Sequence, residues 1–213
     1  MLINKFSWSD FEQAPIVGIV RGMSLDQVRM IARAYEKAGL YALEVTMNTD
    51  RATGIIATIA EEFPTLCIGA GTVCSSDDLQ KALDAGAQFV VTPVVNEEVI
   101  TASVAVQVPI FSGAYTPSEI YHAWSLGASV VKVFPATQLG TQYIKDVLAP
   151  LNQIKLLPTG GVTLDNIRSF FEAGAVGVGM GSSLLDKTHI QAQDEEALIN
   201  HFSQIRGSVN LTL

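Results

Sequence analysis

The chain has 213 residues, 48% of them hydrophobic and only 16% charged, so it holds enough apolar side chain for one well-buried domain over 1–213. Its 13 Lys and Arg against 21 Asp and Glu leave a net charge of -8 with no basic stripe, which argues against a nucleic-acid partner. An anionic substrate would therefore need a local site of backbone amides and one or two cations. No apolar run reaches membrane-span length, and the opening MLINKFSWSDFEQ is too polar for a signal peptide, so a cytoplasmic protein with no membrane partner is expected. Cys67 and Cys74 then read as reduced thiols. His122, His189 and His201 have no ligand spacing with each other or with the cysteines, so no metal site is expected.

Short aliphatic runs alternate with amphipathic ones. A strand over 16–20 leads to a helix over 24–38, with Ser24 as N-cap and Gly39 as stop. A strand over 42–46 follows, then a helix over about 50–63 ended by Pro64. The third pair is a strand over 66–69 and a helix over 75–85, stopped by Gly86. The fourth is 89–92 and 96–106, and the fifth 109–112 and 118–126, stopped by Gly127. The sixth strand, Ser129-Val130-Val131-Lys132-Val133-Phe134-Pro135, precedes a helix containing 143–148, which Pro150 stops. The last pairs are 154–157 with 164–173, stopped by Gly174, and 176–180 with a helix containing 195–205. The apolar faces with Val28, Ile31 and Tyr35 suit either the core or a subunit interface.

Strict alternation of near-continuous hydrophobic strands with helices means a parallel sheet covered by helices. Eight units in about 200 residues fit a small (β/α)8 TIM barrel. A doubly wound open sheet is the alternative, but it would usually carry a Gly-rich dinucleotide loop after strand one, where Arg21-Gly22 stands instead.

In such a barrel, chemistry sits at the carboxyl ends of the strands. Lys132 is out of place in its apolar run, because lysine is rarely fully buried unless paired. Its stem can pack while its head reaches water, or its surroundings can push it toward a neutral amine that attacks carbonyl carbons. Alternation puts Glu44 and Thr46 on one side of their strand and Lys132 and Phe134 on one side of theirs. If those sides face the axis, Glu44 is a counter-ion for Lys132, a proton shuttle, or both. Arg21 at the mouth is a loop cation or a carboxylate clamp. Gly160-Gly161 and Gly181-Ser182-Ser183 are tight turns, or backbone cradles for a phosphate after strands seven and eight.

The runs Leu43-Glu44-Val45-Thr46, Gly69-Ala70-Gly71-Thr72-Val73, Lys132-Val133-Phe134-Pro135-Ala136 and Pro158-Thr159-Gly160-Gly161-Val162 resemble the bacterial 2-keto-3-deoxy-6-phosphogluconate (KDPG) and 4-hydroxy-2-oxoglutarate aldolases. The resemblance extends from about Ile16 to Leu184. It implies a homotrimeric barrel and a class I aldolase with no cofactor, cleaving KDPG to pyruvate and an aldehyde such as glyceraldehyde 3-phosphate. Carried over by motif, Lys132 forms the imine and Glu44 is the general acid and base. Thr72 hydrogen-bonds the pyruvyl portion, Thr159 and Phe134 line the pocket, and Gly160, Gly161 and Ser182, with the neighbouring Gly181, hold the phosphate. One departure stands out. The phosphogluconate-specific members carry an arginine for the substrate carboxylate where this chain has Asn48. Arg21 and the Gly140-Thr141-Gln142-Tyr143 run are instead similar to the 2-keto-3-deoxy-6-phosphogalactonate aldolases, so cleavage of that epimer, with Arg21 holding the carboxylate, is the alternative. A different phosphate-binding barrel, such as a thiamine-phosphate synthase-like protein, would want Mg²⁺-binding acidic residues at the rim, which supplies chiefly Glu44.

Overall fold

Eight parallel strands run in the order β7-β6-β5-β4-β3-β2-β1-β8, and a bridge between Thr159 and Gly179 joins the two ends, so the sheet closes into the expected (β/α)8 barrel. The computed structural model describes residues 6–209; residues 1–5, where the polar opening stretch begins, lie outside them. The strands are β1 (Ile16–Val20), β2 (Ala42–Thr46), β3 (Cys67–Gly71), β4 (Val90–Val91), β5 (Ile110–Ala114), β6 (Val130–Val133), β7 (Leu156–Pro158) and β8 (Val178–Met180). The helices are α1 (Trp8–Gln13), α2 (Leu25–Lys37), α3 (Ala52–Glu62), α4 (Ser76–Asp84), α5 (Glu97–Ala105), α6 (Pro117–Ser125), α7 (Gly140–Leu148), α8 (Ile167–Glu172), α9 (Lys187–Gln191) and α10 (Glu195–Val209). None of the described helices is long and apolar enough to cross a membrane.

Side-chain alternation divides the apolar residues into two cores. Outward-facing Leu43, Val45, Val131 and Val133 join the helix faces, including Val28, Ile31 and Tyr35, in the larger cluster between sheet and helices. Those three helix residues are fully buried within the chain, which settles them as core. Tyr35 reaches the sheet, its hydroxyl 3.0 Å from the Ala42 carbonyl oxygen and 3.3 Å from that of Ile16. Inward-facing Val17, Phe89, Phe111, Val130 and Leu157 form the second cluster, inside the barrel.

Caps and stops set most element ends where the sequence puts them. The Ser24 hydroxyl accepts the Gln27 N–H while the Gln27 side chain accepts the Ser24 N–H, and Gly39, Gly86, Gly127 and Gly174 all have positive φ. The differences have local causes. β3 and β5 each run two residues past the predicted end, through Gly71 and Gly113, because the neighbouring strands keep pairing: Thr46 stands opposite Gly71, and Gly113 opposite Lys132. β4 shrinks to two residues. The helix expected from 164 starts at Ile167, because the Asn166 side chain serves the preceding loop, accepting the Thr163 N–H and donating to the Gly161 carbonyl.

Helices α1 and α9 have no counterpart in the prediction; at six and five residues, neither spans enough turns to show a periodicity. α1 closes the amino end of the barrel. Phe11 is 2% exposed, its ring centroid 5.9 Å from that of Phe111, and Phe6 lies 5.6 Å from Phe89. Truncating this plug leaves a cavity that the closed sheet cannot collapse into. Phe11→Ala is expected to cost about 3–5 kcal/mol, read as a lower urea midpoint at unchanged slope. A cost below about 1 kcal/mol would show that α1 adds nothing to the inner core.

Candidate active site

Above the aromatic plug, the next inward positions are polar. In β2, Ala42, Glu44 and Thr46 share one face; in β6, Val130 and Lys132 do. Glu44 and Lys132 therefore meet across the barrel interior, lining one small internal void. They are only 1% and 5% exposed. Among the described residues they form no ion pair within 4.0 Å, and Glu44 Oε2 has no hydrogen-bond partner. The Lys132 ammonium nitrogen lies 4.9 Å from the Phe134 ring centroid.

Burial dominates both titrations. It pushes Lys132 below the ordinary lysine range, against the pull of Glu44 and with the help of nearby Arg21. It pushes Glu44 above the usual carboxylate range, against the attraction of Lys132 and then Arg21. Each group is thus driven toward its neutral form, an amine facing a carboxylic acid. A free amine is a nucleophile, and an adjacent acid with one proton to give can serve the oxygen the amine displaces.

Two glycines create the space. A Cβ at Gly71 would overlap the Glu44 carboxyl, and one at Gly179 would overlap the Thr159 hydroxyl. Thr159 Oγ1 is likewise buried without a partner. The two unsatisfied groups, Glu44 and Thr159, border the same void as Lys132, which is what a site awaiting a polar ligand requires.

Over this couple opens a cavity of about 350 Å3. Of the residues singled out in the sequence, Arg21, Lys132, Phe134 and Thr159 stand on its wall, as do both backbone loops, Gly160-Gly161 and Gly181-Ser182. Gly160 and Gly161 have φ of 95° and 75°, a left-handed conformation open to glycine, in the loop that lines the cavity. The N–H groups of Gly161 and Ser182 donate to no other group among the described residues. The loops are stitched together from behind: Ser183 Oγ donates to the Val162 carbonyl at 2.5 Å, and His201 Nε2 meets the Ser183 carbonyl at 2.9 Å. Arg21 is held by its neighbour, since the Gly22 N–H donates to Thr49 Oγ1, itself 3.0 Å from Thr46 Oγ1. Its guanidinium has no ion pair among the described residues.

Thr72 is the exception. It follows β3 with φ 56°, half-buried, and lines neither the cavity nor the void beneath it. A left-handed β-branched residue is unusual, and Thr72 directly follows Cys67, Gly69 and Gly71, the inward series of β3. Sequence reasoning in turn missed Met23, Leu185 and Lys187, which also line the cavity. Lys187 lies five residues past Ser182 in a helix too short to read, and only the positional rule about loops after strand eight could have drawn attention to it. Among the described residues, no group of three or more His, Cys, Asp or Glu side chains could hold a metal ion.

Fold and site together define a (β/α)8 barrel with a desolvated amine–carboxyl couple beneath a cationic, amide-lined mouth. The chain belongs to the KDPG and KHG aldolase family, which it matches over residues 9–201. It is 35% identical over 207 residues to the 2-dehydro-3-deoxy-phosphogluconate aldolase of Treponema pallidum (strain Nichols), with 95% of each chain covered. It is 33% identical over 172 residues to the 2-dehydro-3-deoxy-6-phosphogalactonate aldolase of Escherichia coli (strain K12), covering 80% of this chain and 84% of that one. A solved structure described as native KDPGal superposes with a TM-score of 0.86 at 30% identity, covering 92% of this chain and 95% of the other.

The fit between Gly71 and Glu44 can be tested on stability alone. Gly71→Ala is expected to cost about 1–3 kcal/mol by overpacking, and Glu44→Ala in the same chain should recover most of it. An alanine at 71 that leaves the denaturation midpoint unchanged would mean that the carboxyl is not packed there.

Proposed function

We propose that this chain is a class I aldolase that cleaves KDPG to pyruvate and glyceraldehyde 3-phosphate, and also accepts 4-hydroxy-2-oxoglutarate. The observation that carries the reading is the Lys132–Glu44 couple, withdrawn from water at the floor of a cationic cavity. Lys132 attacks the C2 carbonyl carbon, and Glu44 donates the proton with which the carbinolamine oxygen leaves as water. The resulting iminium is an electron sink. Glu44, now a carboxylate, takes the proton of the C4 hydroxyl; the C3–C4 bond breaks, the aldehyde departs, and the bonding pair is held as an enamine. Proton return to C3 and hydrolysis of the imine release pyruvate and restore the amine. Arg21 pairs with the substrate carboxylate, Thr159 and Phe134 border the pyruvyl portion, and the amides of Gly160, Gly161, Gly181 and Ser182 receive the phosphate. Thr72, at the end of β3, hydrogen-bonds the pyruvyl portion, as the family resemblance implies. A homotrimer in the cytoplasm completes the reading, by family resemblance and by the two free cysteines.

One feature favours the galactonate epimer as a second reading: Asn48 stands where the resemblance places an arginine, while Arg21 is on the wall and unpaired. Parallel assays with both epimers decide between them. Arg21→Ala should raise KM for either keto acid about tenfold or more, as expected for a lost charge-assisted carboxylate contact. An unchanged KM would remove Arg21 from the site.

The decisive experiment is borohydride reduction in the presence of pyruvate. A permanent adduct is expected on Lys132, absent in Lys132→Met and formed about a hundredfold more slowly in Glu44→Gln. Absence of an adduct on the parent chain rejects the aldolase in favour of a phosphate-binding barrel without this chemistry.

The pH dependence has a definite sign. Because burial depresses the Lys132 pKa, the attacking amine is present above that value and is lost as pH falls through it. Glu44, held above the carboxylate range, keeps its proton further up the same scale. The rate of adduct formation should therefore rise with pH along a limb whose midpoint lies below the 10.5 of an ordinary lysine. A midpoint at 10.5 would mean that the amine is effectively in water.

A further inference from the structure

Three cations, Arg21, Lys132 and Lys187, stand on the cavity wall with no carboxylate among them, although the chain carries a net charge of -8. The first two have roles in the reading above; Lys187 has none. It opens α9 directly after Asp186, whose carboxylate is turned back onto its own helix, Oδ1 accepting the Thr188 N–H at 2.7 Å. The neighbouring charge is thus engaged elsewhere. Among the described residues Lys187 has no ion pair within 4.0 Å, whereas Lys37 and Lys81 meet carboxylates at 2.8 and 2.5 Å. Its side chain is exposed at the mouth, on the wall that also carries the unengaged N–H donors of Gly161 and Ser182.

Those amides supply direction but no net charge, and a phosphate ester near neutral pH carries between one and two negative charges. Apart from Arg21 and the buried Lys132, the cavity offers one cation to balance it. We propose that Lys187 is a specificity-determining residue whose ammonium closes on the terminal phosphate, opposite the carboxylate end held by Arg21. This rests on the reading of the substrate as a phosphorylated keto acid. The amides fix the phosphate's position, and Lys187 makes the site discriminate a dianion from a neutral hydroxyl. Because the lysine is solvent-facing, its contribution is moderate and screened by salt.

The test compares the parent chain with Lys187→Gln and Lys187→Arg, using KDPG as substrate and inorganic phosphate as the probe ligand. In Lys187→Gln, KM and the phosphate dissociation constant measured by calorimetry should both rise about five- to tenfold while kcat changes by less than about twofold, and Lys187→Arg should recover most of the loss. Added salt should weaken phosphate binding more steeply in the parent than in Lys187→Gln. Unchanged KM and phosphate affinity in Lys187→Gln overturn the proposal. So does an equal loss with 4-hydroxy-2-oxoglutarate, which has no phosphate, because that marks a merely structural effect. Borohydride trapping with pyruvate on the same samples keeps the two readings apart: no adduct on the parent rejects the aldolase, whereas normal adduct with phosphate affinity indifferent to residue 187 rejects this inference alone.

Discussion

Removing Lys132 and Glu44 from water is the constraint on which the site depends. An ammonium and a carboxylate lose far more solvation on burial than an unbonded pair recovers, so the folded protein holds both closer to neutrality than free side chains would be. That withdrawal needs a dry, rigid container. The sheet supplies the rigidity, its end strands joined by the Thr159–Gly179 bridge, and the aromatic plug beneath supplies the dryness.

The barrel is accordingly divided along its axis. Its amino end is filled by large rings, with Phe6, Trp8 and Phe11 from outside the sheet meeting Phe89 and Phe111 from inside it. Its carboxyl end is hollowed by glycine. Gly71 and Gly179 omit the side chains that would otherwise fill the layer of Glu44 and Thr159. The same inward alternation therefore gives a packed core at one end and a reaction vessel at the other, with no change in backbone geometry.

Electrostatics show a similar economy. Most surface cations are occupied: Arg29 pairs with Glu62, Arg33 and Lys37 with Glu195, and Arg168 with Glu172. The cations on the cavity wall have no ion pair among the described residues. An acidic protein can thus receive an anion with two charged ends, because attraction acts over the short range inside the mouth and not through the overall field, which salt screens within about 10 Å.

Much of this was legible in the chain. The strand–helix alternation, the helix-stopping glycines and the lone lysine in a valine run follow from local rules of propensity, capping and burial, and these fixed the barrel, Lys132, Glu44 and the two backbone loops in advance. Local rules ended the third and fifth strands two residues early, before Gly71 and Gly113: a glycine's place in a parallel ladder depends on what the neighbouring strands pair with and which side chain needs its space. Short elements such as α1 and α9 left no periodic trace, so the plug and Lys187 emerged only in three dimensions. The left-handed conformation of Thr72 is a property of the loop's path, which no motif encodes. Sequence by itself determined which chemical groups this protein carries and on which face of each strand. Only closure of the barrel decided which of them share a cavity, because that depends on contacts between elements far apart in the chain, such as β1 with β8.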